Sequence, residues 1–382
     1  MAMNYTQTDW TDLFVSIRWS KFEPKQGVSE FHAMLELTVN NLSGAEQFQM
    51  IELAIDRLKQ SDEFAGAALV WKRYFVSDAV NQKQYIQSSA EEAVSIIQQP
   101  PLNGSKLSLW AYFVEAVSLH LSADGMVVVK RPYYTHLYNV RLHEKSGDSY
   151  EQTQSIFNAY IRNLEDYQCT LASNCLRTWI FVRNVDTQYE GMVKARRELF
   201  EKSGLNPQTH FIASTGIEGQ SVYPEVSVLM DAYAVREIQK EQITYLHGST
   251  NLNPTHEYGV TFERGTAVQY GDRRHIFISG TASIDNQGKI VHPLDVEQQT
   301  ERTLENIRAL LQEAEADMTD VAHLIIYLRD IADYGKTKTY FEQRCPKVPK
   351  VILSAPVCRP GWLIEIECIA VTAIDDSRFN IF

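Results

Sequence analysis

The chain of 382 residues has few of the features that mark secreted or nucleic-acid-binding proteins. Its five cysteines are an odd number, and their spacings match neither a disulfide framework nor a zinc motif. Lys and Arg number 36 against 48 Asp and Glu, a net charge of −12, so no basic surface of the kind that nucleic acid requires is indicated. We therefore expect no nucleic-acid partner and a reducing, cytoplasmic compartment.

Long apolar runs are also missing. No stretch of about 18 apolar residues occurs, so we expect no membrane-spanning helix and no membrane partner. The first residues, MAMNYTQTDWTDLF, contain neither a basic nor an apolar region and do not predict a signal peptide. The ten histidines form no HxH or HxxxH pair, so we expect no metal site.

The most informative stretch is Leu363–Val371, in which apolar residues alternate as in a β-strand. Glu365 and Glu367 share one face of this strand with apolar neighbours, and Arg359 lies on the turn before it. Apolar surroundings raise the pKa of a carboxyl, and a guanidinium can hold a substrate carboxylate. The pattern is typical of a general acid beside an anion-binding group. An edge strand with two solvated glutamates and a surface arginine is the alternative.

One order of predicted elements occurs three times along the chain. Each repeat has a helix with apolar residues at i, i+3, i+4 and i+7, followed by a strand rich in β-branched and aromatic residues. The three strands are Ala68–Asp78, Asn174–Asn184 and Ala322–Asp330. A second, less regular helix and two more strands follow each of them. The sequence therefore predicts an α+β fold of three tandem units, and three unrelated α+β segments are the alternative.

Each unit is also expected to open with two strands and to close with two. The opening pairs are Leu13–Arg18 with Phe31–Thr38, Val127–Lys130 with Thr135–Leu142, and Val260–Arg264 with His275–Ser279. The closing pairs are roughly Val94–Ile97 with Lys106–Glu115, Thr209–Thr215 with Glu225–Arg236, and Val351–Val357 with Leu363–Ile374. The repeated elements run over about 10–118, 127–237 and 257–375, within domains 1–120, 121–240 and 257–382. The polar segment Lys240–His256 is predicted to be a linker.

The third unit resembles the Rid (YjgF-like) family. The resemblance rests on Ile278–Ala282, a helix over Gln298–Asp317, and Cys358-Arg359 followed by Leu363–Val371. Rid proteins are homotrimers of a chorismate-mutase-like α+β fold, with sites at subunit interfaces. Three such units in one chain imply an intramolecular pseudo-trimer, closed by covalent linkage and therefore monomeric.

Over about residues 90–375 the chain resembles more specifically the chorismatases, which hydrolyse chorismate. The shared motifs are Gln99–Lys106 with Trp110 and Tyr112, Arg177–Trp179, Tyr189, Arg197, Ser214–Gly219, Thr261–Arg264, Ser279–Ile284, and Cys358-Arg359 with Glu365. The middle unit departs from the family in two places. Trp179-Ile-Phe181 with Val185-Asp186 replaces a Trp-Asn-(Tyr/Phe) run with a later Ile-Asn, and Met192-Val193 replaces a Phe-Asn pair.

The resemblance implies a role for four residues of the third unit. Glu365 matches the proton donor, and Arg359 matches the arginine that holds a substrate carboxylate. Cys358 and Gly280 match positions that influence which product forms. Neither a metal nor an organic cofactor is implied, and the substrate is a small chorismate-like anion.

Three residues of the middle unit are further expected substrate contacts. Arg177 lies in an apolar strand, where either an anionic ligand or an internal carboxylate must meet its charge. Tyr189 and Arg197 lie eight residues apart on a predicted helix, roughly on one face. Arg197 is the candidate for the second carboxylate, although its neighbour Arg196 could take that role and a solvated helix face is a further possibility.

Three functions follow from these residues. The first is a hydrolase that cleaves the enolpyruvyl ether of chorismate to pyruvate and a dihydroxycyclohexadienoate or hydroxybenzoate, with one site per chain because only the third unit has the Arg…Glu arrangement. The second is a Rid-type deaminase of small enamines or imines. The third is a non-catalytic small-molecule-binding member, which the departures in the middle unit favour.

Overall fold

The computed structural model describes residues 3–86, 92–122 and 125–382. Its elements form three successive groups, each with one six-stranded mixed sheet and helices. The predicted α+β fold of three tandem units is therefore confirmed.

The first unit has sheet order β1-β2-β3-β6-β4-β5, in which only the β4–β5 pair is parallel among the described strands. Its strands are β1 (Asn4–Trp10), β2 (Val15–Phe22), β3 (Glu30–Leu37), β4 (Ala67–Val76), β5 (Ala93–Gln98) and β6 (Leu107–Glu115). Its helices are α1 (Gly44–Lys59) and the short α2 (Ala79–Gln82).

The second unit repeats this arrangement, with order β11-β10-β12-β9-β8-β7 and β10 parallel to β11. Its strands are β7 (Ser118–Leu121), β8 (Val127–Lys130), β9 (Thr135–His143), β10 (Cys175–Val182), β11 (Ala213–Glu218) and β12 (Val228–Arg236). Its helices are α3 (Ser149–Asp166), the short α4 (Leu171–Asn174) and α5 (Val185–Lys202).

The third unit has order β13-β14-β15-β18-β16-β17, with β16 parallel to β17. Its strands are β13 (Ile243–Leu246), β14 (Gly265–Gln269), β15 (Arg273–Ala282), β16 (Val321–Leu328), β17 (Lys350–Ser354) and β18 (Ile364–Ala373). Its helices are α6 (Val296–Glu313) and α7 (Tyr334–Arg344).

The long helix of each unit begins at a residue that caps it. Ser43 and Asp148 form capping boxes with the glutamates three residues later, and the Asp295 side chain accepts the Gln298 N–H at the start of α6. Each helix buries its apolar face, as Ile51, Ile55 and Leu58 of α1 illustrate. The strands β10 and β16 are buried along their whole length, as expected for strands covered on both faces.

Every pair of units is joined by backbone contacts. Isolated β-bridges link Gln98 with Gln220, Ala213 with Glu263, and Pro101 with Leu353. These bridges connect the first unit to the second, the second to the third, and the third to the first. Each unit therefore contacts both others, as the subunits of a closed trimer do.

The third unit opens differently from the prediction. The segment 240–256, expected to be a linker, contains β13, which pairs with β14 at the edge of the sheet. The predicted strand Val260–Arg264 is wrong, because the strand begins at Gly265. The edge strands β1 and β7 were also missed; their side chains are mostly exposed or half-buried, so no apolar alternation marks them. Within the described residues no helix is long and apolar enough to cross a membrane.

Candidate active site

A cavity of about 450 Å³ lies between the second and third units. The second unit contributes α5 and β11, and the third contributes residues 258–264, the end of β15, the turn before β18 and β18 itself. Its volume is in the range of sites that enclose a small molecule. Six of the seven residues singled out from the sequence line this cavity; they are Glu365, Arg359, Arg197, Tyr189, Gly280 and Cys358.

Glu365 is the buried carboxyl of the cavity, with 5% of its surface exposed. It lies on β18, which is paired on both sides by β15 and β16, so the solvated edge strand considered from the sequence is excluded. Burial, followed by the negative charge of Glu367, raises the pKa of Glu365 to about 8. The carboxyl is therefore protonated at neutral pH, the state that a general acid requires.

Gly280 makes room for this carboxyl. A Cβ built on Gly280 would stand 2.1 Å from Oε1 of Glu365 and 2.8 Å from its carboxyl carbon. The β15–β18 pairing shifts register between Ile278 and Thr281, which places the glycine at an irregularity of the strand. Glycine is thus needed here for close approach, since its lack of a Cβ leaves the space that Glu365 occupies.

Arg196, and not only its neighbour Arg197, faces the cavity. Arg196 is 1% exposed, and its Nε and Nη2 groups have no hydrogen-bond partner among the described residues; Nη1 reaches Oγ of Ser214 over 3.4 Å. Arg197 instead donates from Nη2 to the backbone carbonyl of Gly259. A buried guanidinium with unused donors is costly without an anion, so Arg196 is the better-placed anion-binding group.

Two further guanidiniums line the cavity from the third unit. Arg359 stacks on Tyr258 and Trp362, with ring centroids 4.8 Å and 5.1 Å from its Cζ. Arg264 donates from Nη2 to the backbone carbonyl of Asn253 over 2.9 Å and lies over the Tyr258 ring. Aromatic stacking fixes both planar groups without using up all their donors.

Cys358 and Tyr189 meet on the wall of the cavity. Burial raises the pKa of the Cys358 thiol to about 12, so the thiol is not a nucleophile at neutral pH. Burial, followed by the nearby Cys358, also raises the pKa of Tyr189 well above its usual value. Both side chains therefore face the cavity in their neutral forms.

Arg177 does not line the cavity. Its Nη2 donates to Oε2 of Glu367 over 2.8 Å, and Trp179 donates from Nε1 to Oε1 of the same carboxylate over 2.9 Å. Thr215 donates a third hydrogen bond to Glu367. Of the two partners considered for Arg177, the structure shows the internal carboxylate.

The three units differ at the position of Glu365. The strands β4, β10 and β16 each have an irregularity near their start, and the fifth residue after it is Phe75, Phe181 or Tyr327. The partners of these three residues on the neighbouring antiparallel strand are Ser108, Leu229 and Glu365. A carboxyl therefore occupies this position only in the third unit.

Several residues of the cavity were not identified from the sequence. Tyr258 and Trp362 hold Arg359 in place, and Ser214 and Arg264 add polar groups. Ser214 and Arg264 lie within the shared motifs Ser214–Gly219 and Thr261–Arg264, but nothing in the spacing of these motifs indicates that the two residues meet. Tyr258 lies in a segment without a periodic pattern.

Comparisons with known proteins agree with this architecture. The Endoribonuclease L-PSP family matches residues 264–372. A RutC family protein of Pyrococcus abyssi is 36% identical over 107 residues, which are 27% of this chain and 82% of that protein. A crystal structure of a chorismatase, 18% identical, matches with a TM-score of 0.64 over 79% of this chain and 92% of that chain, a likeness of fold.

Proposed function

The chain belongs to the RutC family, and from this premise we propose that it hydrolyses the enolpyruvyl ether of chorismate or a closely similar dicarboxylate. The observation that carries the proposal is the neutral Glu365 carboxyl, buried in a cavity that also contains four guanidinium groups. The likeness of fold to a chorismatase along most of the chain supports the same reaction.

The reaction begins with a proton transfer. Glu365 gives its proton to the terminal methylene carbon of the enol ether, and the ether carbon becomes an oxocarbenium ion. Water adds to that carbon and loses a proton to the Glu365 carboxylate, and the resulting hemiketal collapses to pyruvate and the ring alcohol. A positioned acid accelerates such a step by about 10²–10⁴-fold.

The arginines supply positive charge that balances the carboxylates of the substrate. Chorismate has two carboxylates, and Arg196 and Arg359 are the two guanidiniums that we assign to them. Arg196 brings unused donors in a buried position, and Arg359 lies against two aromatic rings. Charge-assisted hydrogen bonds of this kind fix the orientation of a planar anion. Tyr189, Cys358 and Gly280 then shape the wall against which the ring lies.

A deaminase of small enamines or imines is the second candidate. The Endoribonuclease L-PSP family matches residues 264–372, a part of the third unit that contains both Arg359 and Glu365. Such a substrate needs one carboxylate site and no room for a ring. The buried Arg196 of the second unit, with its unused donors, favours the larger dicarboxylate.

The deciding experiment is incubation of the purified protein with chorismate. Pyruvate is followed by a coupled assay, and the ring product is identified by mass. Release of pyruvate at enzymatic rates, in equal amounts with one ring product, is the expected result. A folded protein that releases no pyruvate but hydrolyses an imine of a small amino acid would overturn the hydrolase proposal in favour of the deaminase.

A further inference from the structure

We propose that Glu367, a residue that does not line the cavity, is the positioning residue that keeps Glu365 in its protonated, proton-donating form. The inference rests on the proposed function of Glu365 and assigns a role to the middle unit, which has Leu229 at the position of Glu365. The two carboxyl groups lie two residues apart on β18 and therefore on the same face of the strand.

The Glu367 side chain is surrounded by hydrogen-bond donors. It accepts hydrogen bonds from Arg177 Nη2, Trp179 Nε1 and the hydroxyl of Thr215, all of them from the second unit. Nη1 of Arg73 in the first unit lies 4.0 Å from Oε1. Hydrogen-bond donors of the second unit and the guanidinium charge of Arg73 thus stabilise a negative charge at this position. Glu365, in contrast, makes no side-chain hydrogen bond within the described chain that would stabilise its ionised form.

The same hydroxyl of Thr215 connects the two carboxyl groups. While donating to Glu367, it accepts the backbone N–H of Gly280 over 2.9 Å. Gly280 is the residue whose missing Cβ leaves room for the Glu365 carboxyl. The network that holds Glu367 therefore also fixes the backbone against which Glu365 lies.

A second buried carboxylate with contacts of the same kind lies between the first and second units. Asp231 of β12 occupies the register of Glu367, opposite Trp179 as Glu367 lies opposite Ile325. It accepts hydrogen bonds from Arg73 Nη2 over 2.9 Å and from Ser95 Oγ over 2.6 Å. A buried carboxylate held by the preceding unit is thus a repeated feature of the fold. The two strands differ two residues earlier, where Glu365 precedes Glu367 but Leu229 precedes Asp231.

Among the side chains around Glu365, one carboxylate raises its pKa. Six titratable or charged groups interact with Glu365 from the surrounding elements. Glu367, Arg177 and Arg264 shift its pKa, and Tyr189, Cys358 and Tyr327 have their own pKa raised by it. Burial keeps both tyrosines and the cysteine neutral. Arg177 and Arg264 lower the pKa of Glu365, so among these six only the Glu367 carboxylate adds to the effect of burial.

The experiment measures the protonation of Glu365 directly. A buried carboxylic acid has an infrared C=O stretching band distinct from that of a carboxylate, and the Glu365→Gln variant identifies the band of this residue. Its intensity is followed against pH in the unmodified protein and in Glu367→Gln. We expect the midpoint to fall by about one pH unit or more, since the opposing charge is gone. The measurement needs no turnover, so its failure is distinguishable from failure of the proposed reaction.

The second buried carboxylate, Asp231, provides the matched control. Asp231→Asn makes the same isosteric change between the first and second units. The midpoint of the Glu365 band should move far less than in Glu367→Gln, although Arg73, the partner of Asp231, also lies 4.0 Å from Glu367. Glu367→Asp, which keeps the charge, should retain most of the original midpoint. An unchanged midpoint in Glu367→Gln, or an equal fall in Asp231→Asn, would overturn the proposal.

Removing one member of a buried ion pair can prevent folding. In that case the double variant Arg177→Gln with Glu367→Gln replaces the ion pair by two amides. The midpoint should still fall, by less than in the single variant, because the effect of Glu367 on Glu365 is larger than that of Arg177. An unchanged midpoint in the double variant contradicts the proposal equally.

Discussion

The Glu365 carboxyl occupies the space in which a side chain at Gly280 would begin. A Cβ on this glycine would lie 2.1 Å from Oε1 of Glu365 and 3.1 Å from Cγ2 of Thr215. The first distance is far shorter than a van der Waals contact. The acid and the glycine are therefore matched, and one cannot change without moving the other.

Gly280→Ala should displace the acid. We expect kcat/KM for chorismate hydrolysis to fall at least about tenfold, because a small misplacement of a proton donor is costly. Gly335→Ala is the control, since a Cβ there meets nothing within 4 Å and alanine favours the helix. It should leave kcat/KM unchanged. Equal activities of the two variants would contradict the packing argument.

Glu365→Gln should remove the acid and keep the fold. We expect kcat to fall by about 10²-fold or more, the size of a general-acid contribution. Glu36→Gln is a matched control, because Glu36 is a carboxyl of β3 in the first unit whose pKa burial also raises. Steady-state rates and melting temperatures are compared for both. Activity that survives in Glu365→Gln would show that another group donates the proton.

Activity should decline as pH rises through about 8, because only the protonated form of Glu365 donates. Stability should change in the same direction. The pKa of Glu365 is higher in the folded than in the unfolded chain, so its contribution is full below the ordinary carboxyl pKa and is lost as pH rises through about 8. Glu365→Gln should therefore lose less of its melting temperature between pH 5 and pH 9 than the unmodified protein. An equal loss of melting temperature in the two proteins over this pH range would count against the assignment.

Arg196 and Arg197 should differ in their effects on substrate binding. Arg196→Met removes a buried guanidinium with unused donors, and we expect kcat/KM to fall by about 10- to 100-fold, the value of about 1.5–3 kcal/mol for hydrogen bonds to a charged group. Arg197→Met removes a guanidinium that already binds the Gly259 carbonyl, so its effect should be smaller. Initial rates against chorismate concentration test both. A larger loss in Arg197→Met would reverse the assignment.

Much of the fold could be predicted because its elements have strong periodic patterns. The helices α1, α3 and α6 have apolar faces and polar caps, and the buried strands that follow them are rich in β-branched and aromatic residues. The strand β13 has no such pattern, since it is four residues long and mostly half-buried or exposed at the sheet edge. Pairing with β14, a tertiary effect, decides its conformation.

The site was predictable where its residues lie close together in sequence. Cys358, Arg359 and Glu365 lie on one turn and the strand after it, so their proximity follows from local structure. Arg177 was ambiguous because its partner Glu367 is 190 residues away, and no local rule pairs residues across two units. The distinction between Arg196 and Arg197 depended on the rotation of α5 against β11, which amphipathic spacing gives only roughly.

The cavity is built from side chains of the second and third units, and these units belong to one continuous polypeptide. In an assembly of separate subunits, dilution takes such a shared site apart by mass action. Here covalent linkage fixes the effective concentration of one half of the site around the other, whatever the amount of protein in solution. The fraction of molecules with an assembled site thus depends on folding of the chain alone. The site stays assembled at concentrations where a weak trimer would dissociate.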